Sequence, residues 1–253
     1  MDKPKNQVLF VLTSSDRLGG SGHKTGAYLS EITHPYDEFM RAGYEVTMIS
    51  PQGGKVPLDG VKMDDPINAT WMNDTDFALQ LETTQTPWQV QPRDFAAVFF
   101  VGGHGAMYDL PDHLHLRELV SEIYENQGVI AAVCHGAAGL VNLRLPDGPF
   151  LVQGHEVTCF SNEEEETVGM ESVVPFLLED KLKEQGARVT TAPKFTCNVI
   201  KSGRLITGQN PASAAAVARA VIETLRYMED GRWVPDEDWC DWQQHNNELR
   251  GLL

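Results

Sequence analysis

Apolar residues in this chain follow two rhythms. Short uninterrupted runs, Val8-Leu-Phe-Val-Leu-Thr13, Phe95-Ala-Ala-Val-Phe-Phe-Val101 and Val129-Ile-Ala-Ala-Val133, alternate with stretches in which apolar residues return every three or four positions. A short, fully apolar run suits a strand covered on both faces of a parallel sheet. Glu45–Ser50, Glu156–Phe160, Arg188–Ala192 and Leu205–Thr207 read as further strands. The helical rhythm predicts helices over Tyr28–Arg41, Asp74–Glu82, His113–Asn126, Val173–Gly186 and Ala212–Met228. Pro35 should kink or restart the first of these, because it lacks an amide hydrogen. Gly43 and Gly186 read as helix stops. Asn210 and Pro211 read as N-cap and first residue of the last helix.

Strands alternating with helices predict an α/β fold: a doubly wound, mostly parallel sheet sandwiched by helices, with its ligand crevice at the carboxyl ends of the strands. The polar stretch from Pro51 to Arg93 reads as a small cap insertion, because its Trp71, Trp88 and Met residues need somewhere to be buried. The expected organisation is one domain over 1–229, with that insertion at about 51–93. A tail over 230–253, carrying Trp233, Trp239 and Trp242, is expected to pack on the domain or on a dimer partner.

With 253 residues the chain can bury a sizeable core. A net charge of -16 and a pI near 4.8 argue against nucleic acid and anionic membrane as partners. No apolar run approaches the ~18 residues of a spanning helix. Met1-Asp-Lys-Pro-Lys-Asn-Gln7 leads into the first strand without a signal peptide, so a reducing cytoplasmic setting is expected. Cys134, Cys159, Cys197 and Cys240 show no CxxC spacing; neither a zinc knuckle nor a disulfide framework is expected. His113 and His115 do not share a helix face. His23, His34, His104 and His155 show no metal spacing, and no metal is expected.

The strand ends carry the candidate chemistry. Cys134 follows an apolar strand and precedes His135-Gly-Ala-Ala-Gly139. That places a thiol on a sharp strand-to-helix turn, the cysteine form of a nucleophile elbow, with amides and a helix dipole favouring the thiolate. His135 is its proton partner. Gly102-Gly-His-Gly105 reads as an anion-binding turn or simply a tight βα turn; the amides of Gly103 and His135 would make an oxyanion hole. It has neither dinucleotide-fingerprint nor P-loop spacing. Glu31, on the first helix, is the candidate neutral acid beside the thiol, although the same spacing fits a solvent-facing glutamate. His135 needs an orienting carboxylate. The run Glu163–Glu166 reads as a solvated loop with one acid turned inward.

Together these segments resemble the DJ-1/PfpI superfamily, and within it the Hsp31-like, glutathione-independent glyoxalases (glyoxalase III). The resemblance rests on Lys24-Thr-Gly26 with Glu31 and His34-Pro35, on Gly103-His-Gly105, on Ala131-Ala-Val-Cys-His-Gly136 and on Thr207-Gly-Gln-Asn-Pro-Ala-Ser-Ala214. It implies a flavodoxin-like fold of the class I glutamine-amidotransferase type. It implies Cys134 as nucleophile, His135 as its partner, Glu31 as the acid beside the thiol and a third triad acid in the acidic run. Gapless alignment from Phe160 through Gly169 selects Glu165, with its acidic neighbours one position away. Gly103, His104, Gly105, Thr25 and Gly26 would surround the oxyanion and substrate. The implied reaction turns methylglyoxal, a small 2-oxoaldehyde, and water into lactate without metal or organic cofactor, in a homodimer. A holdase chaperone and a PfpI-type cysteine amidase or peptidase are the other implied activities.

Overall fold

The computed structural model describes residues 6–145, 148–230 and 240. The strands are β1 (Gln7–Val11), β2 (Ala27–Tyr28), β3 (Glu45–Ile49), β4 (Leu58–Asp59), β5 (Phe95–Phe100), β6 (Val129–Val133), β7 (Glu156–Val157), β8 (Arg188–Val189), β9 (Val199–Ser202) and β10 (Leu205–Gly208). The helices are α1 (Leu29–Arg41), α2 (Pro66–Met72), α3 (Thr75–Glu82), α4 (Ala106–Asp109), α5 (Leu114–Glu125), α6 (Asn162–Val168), α7 (Leu178–Glu184) and α8 (Ala214–Asp230).

The central sheet runs β3-β1-β5-β6-β10-β9, and all its pairings are parallel except that of β9 with β10. Alternation along each strand builds two cores. Val8, Phe10, Ala97, Phe99, Val129 and Ala131 face the side covered by α1 and α8. Leu9, Val11, Val98, Phe100, Ile130 and Ala132 face the side covered by α5. This is the doubly wound sandwich that the apolar runs predict. An ion pair between Arg219 and Glu38, 2.7 Å apart, ties α8 to α1.

Several local expectations are corrected. Pro35 lies inside α1 and does not end it. The bond it removes would have ended on the carbonyl of Glu31, and the buried face of Ile32, Tyr36 and Phe39 holds the helix on the sheet instead. The stretch over 51–93 contains α2 as well as the expected α3. Asp65 caps α2 by accepting from the amides of Ile67 and Asn68, with Pro66 following it. Trp71 packs edge-on against Tyr36 of α1, at 4.7 Å between centroids. Trp88 and Met63 are not buried as expected; Trp88 is 60% exposed. Helix α7 begins only at Leu178, and β9 was not anticipated. Asn210 takes the cap position, but its side chain bonds Glu164 and Thr196 rather than the helix amides.

Cys197 and Cys240 form a disulfide, with Cα atoms 5.7 Å apart, where none was expected. The spacing of 43 residues carries no sequence signal for it. Apart from Cys240, the expectations for the 230–253 tail lie outside the described residues. No helix among the described residues is long and apolar enough to cross a membrane.

Candidate active site

Cys134 stands directly after β6 at φ +56. A non-glycine residue there costs about 1–3 kcal/mol, which the surrounding packing must hold in place. It is held by β6, buried at every position, and by Gly136, whose Cβ would lie 2.3 Å from the carbonyl oxygen of Phe100. The turn is therefore the expected elbow. The segment beyond the turn departs from expectation: Cys134–Leu140 is a 3-10 helix, so no long helix dipole points at the sulfur.

His135 is buried beside the thiol, with Nδ1 3.4 Å from Sγ. Its Nε2 lies 2.7 Å from Oε2 of Glu165, and Nε2 of His104 lies 2.7 Å from Oε1 of the same carboxylate. The structure thus picks Glu165 from the acidic run as the group facing His135. The run is a helix, α6, and not a solvated loop. Two of its acids are buried, Glu164 and Glu165, where one was expected. Ser161 and Glu164 form a capping box: the amide and hydroxyl of Ser161 donate to Oε2 of Glu164, and the Glu164 amide donates to the Ser161 hydroxyl oxygen. Oε1 of Glu164 accepts from the Phe195 amide and from Nδ2 of Asn210. Glu164 therefore anchors the start of α6 to two other loops, and that anchoring sets where Glu165 sits. The Ser161-x-x-Glu164 pattern is legible in the sequence; the burial of Glu164 is not.

Glu31 is fully buried on α1, facing the site rather than solvent. Cys134 and the Gly102 amide lie nearby, yet among the described residues neither carboxyl oxygen has a partner of good hydrogen-bond geometry. Burial pushes its pKa up to about 8. Gly102 sits where Glu31 and Cys134 meet. A Cβ there would lie 2.2 Å from Oε2 of Glu31 and 3.0 Å from Cβ of Cys134. We expect Gly102→Ala to displace Glu31 and lower turnover at least about tenfold, a shift of about 1.4 kcal/mol in barrier. Steady-state kinetics beside a thermal melt would separate this from unfolding.

Gly103, at φ +103, packs on Gly26, where its Cβ would lie 2.2 Å from the Gly26 carbonyl oxygen. Gly26 in turn leaves no room for a Cβ beside the Pro57 carbonyl, and Gly105 packs on Thr13. Thr25 is buried beside Gly26, and its hydroxyl has no hydrogen-bond partner among the described residues. His104 turns to Glu165. Two nearby groups had no sequence signal. The carboxylate of Asp109 accepts from the Thr13 hydroxyl and the Ser14 amide, tying the loop after β1 to the end of α4; burial raises its pKa to about 6. The pKa of Tyr28 is raised by burial and then by the charges of Glu31 and Cys134.

Residues 24–224 match the DJ-1/PfpI family. The chain belongs to that family. It is 33% identical to the glutathione-independent glyoxalase HSP31 of Saccharomyces cerevisiae, over 88% of this chain and 99% of that protein. Among solved structures it is similar to the Rapid Encystment Protein 24 kDa of Francisella tularensis, at 38% identity, TM-score 0.84, and 87% and 98% of the two chains. It is also similar to glyoxalase III of Candida albicans, at 28% identity, TM-score 0.78, and 86% and 96% of the two chains.

In this DJ-1/PfpI chain the electrostatics sort the groups by task. Burial opposes ionisation of Glu165, but hydrogen bonds from His104 and His135 win and hold its pKa at about 2. An ionised carboxylate only accepts, so the proton of His135 sits on Nε2 and Nδ1 presents its lone pair to the thiol. Burial, and then the neighbouring His104, push His135 down to about 4, so it is neutral at pH 7. The thiol itself is not lowered as the elbow reading expected. Burial and then the Glu31 carboxylate push it up, and the His135 amide offsets only part of this. Cys134 and Glu31 are thus a coupled pair in which both anions together are unfavourable. With the proton on Glu31 the repulsion is removed, and a neutral carboxyl can donate to the thiolate.

Proposed function

We propose that this DJ-1/PfpI enzyme is a glutathione-independent glyoxalase, a lyase that converts methylglyoxal and water to lactate through Cys134. The observation that carries the reading is the placement of Cys134 between a neutral base, His135, and a buried protonated acid, Glu31. The likeness to enzymes named glyoxalase supports it.

The reaction needs a nucleophile and two proton positions, and the site offers both. His135 takes the thiol proton, and the sulfur adds to the aldehyde carbon to give a hemithioacetal. Its oxygen lies toward the His135 amide and the Gly102–Gly105 turn, which serve as the oxyanion site. Removal of the hydrogen on the former aldehyde carbon gives an enediol. Protonation of the neighbouring carbon then yields the lactoyl thioester of Cys134. Glu31 and His135 exchange these protons. Water hydrolyses the thioester, releasing lactate and restoring the thiol, so one water is consumed and no external oxidant or reductant is needed. Thr25 and Gly26 line the approach in this reading.

The test is lactate formation from methylglyoxal by chelator-treated protein in the absence of glutathione. Lactate is the expected product. Methylglyoxal left unconverted would overturn the reading and move attention to amide hydrolysis by the same thiol, or to suppression of client aggregation.

A further inference from the structure

The thiol mechanism uses one imidazole on Glu165; the structure supplies two. His104 comes from the turn after β5, His135 from the elbow after β6 and Glu165 from α6. The three bring their ligand atoms into one small region. Nε2 of His104 and Nε2 of His135 each lie 2.7 Å from a different oxygen of the carboxylate. The three ligand atoms lie within 4.8 Å of one another. The two rings are 4.0 Å apart between centroids. Oε2 alone meets His135; the second imidazole, on Oε1, bears on the thiol only through the carboxylate that it helps to keep ionised.

We propose that His104, His135 and Glu165 form a binding site for a divalent, borderline-soft cation of the Zn²⁺ type, and that its occupancy takes His135 away from Cys134. Two imidazoles and one carboxylate are the donor set that holds such a cation with a fourth position open. The 2.7 Å contacts must widen to roughly 3.3 Å for tetrahedral ligands at about 2.0–2.1 Å from the metal. His104 is the outermost of the three ligands, its side chain 20% exposed against 1% for His135 and 3% for Glu165. Glu165 is buried, 3% exposed, which keeps a competing water shell away from the bound cation.

Occupancy has a defined chemical consequence. A cation on Nε2 of His135 displaces the proton there, and the neutral ring carries its proton on Nδ1. That nitrogen faces Cys134 at 3.4 Å. An Nδ1 bearing hydrogen donates to sulfur and cannot take the thiol proton, so the loaded site is an off-state of the thiol chemistry. No sequence spacing reveals such a site, because its ligands come from three separate segments.

The binding claim stands apart from the glyoxalase reading, and so does its test. Untagged protein carrying Cys134→Ala, which removes the thiol as a rival ligand, is titrated with Zn²⁺ against a chromophoric chelator. One Zn²⁺ per chain is expected. Adding His104→Ala or Glu165→Gln to that background should weaken binding by at least about tenfold. Wild-type protein loaded with Co²⁺ should show the visible bands of a tetrahedral nitrogen–oxygen site without a thiolate charge-transfer band. This readout holds even if a variant fails to fold. Loss of zinc binding in Cys134→Ala, unchanged affinity in the His104→Ala background, or a thiolate band with Co²⁺ would each overturn the proposal.

Discussion

Cys134→Ala should abolish methylglyoxal turnover, with a loss of at least about 10⁴-fold in kcat, while the protein remains folded. Removing the nucleophile of a covalent mechanism leaves only what binding and oxyanion contacts supply, and losses of this size are typical. The fold has little reason to notice. Cys134 is a small, buried side chain, and alanine at φ +56 meets the same backbone strain as cysteine. The thiol is held neutral by its surroundings, so its removal takes no charge out of the folded protein. Lactate assays and a thermal melt on the same preparation check both halves. Retention of more than about one per cent of the wild-type rate, a barrier change below ~3 kcal/mol, would rule out the thioester route.

Glu31→Gln should move stability and activity in opposite directions. The wild-type carboxyl titrates near 4.5 when exposed and near 8 when buried in the fold. Below pH 4.5 it is neutral in both states and burial costs the fold little. Between these values the unfolded chain releases the proton and the folded chain keeps it, so stability falls as pH rises. Above pH 8 the penalty is complete, at about 5 kcal/mol as an upper bound. Glutamine never ionises. The variant should therefore match wild type near pH 4.5 and exceed it increasingly up to pH 8, at roughly 2–4 °C of melting temperature per kcal/mol. It should also lose about 10²–10⁴ in kcat, because the amide cannot carry a proton to and from the enediol. Melts across pH beside lactate kinetics would reveal the divergence. A melting difference that does not change with pH would remove Glu31 as a buried proton carrier.

The two variants probe different layers of the same arrangement. Cys134 sits at the end of a strand whose apolar run is read directly from Val129 to Val133. Glu31 reaches the site only because α1 runs through Pro35 and lays Ile32, Tyr36 and Phe39 on the sheet. Cys134 was therefore legible as a candidate from local pattern. Glu31 needed either the resemblance or the packed helix to choose between the crevice and solvent.

The same division runs through the rest of the molecule. Short apolar runs separated by helical rhythm specify a doubly wound sheet, because burial on both faces leaves no room for polar alternation. Glycines at 102, 103, 105 and 136 follow from local demand as well: a strand-end turn in which backbone must touch backbone excludes side chains. Asp65 before Pro66 and Ser161 ahead of Glu164 were local cap signals present in the chain, and each marks a helix that hydrophobic rhythm alone missed. What the tertiary structure decided is different in kind. It turned two acids of α6 inward, gave Glu165 a second imidazole, set Asp109 on the loop after β1 and joined Cys197 to Cys240. Each of these is a contact between side chains far apart in the chain. Sequence period and spacing record which face of its own element a residue occupies; only packing between elements fixes what that face meets.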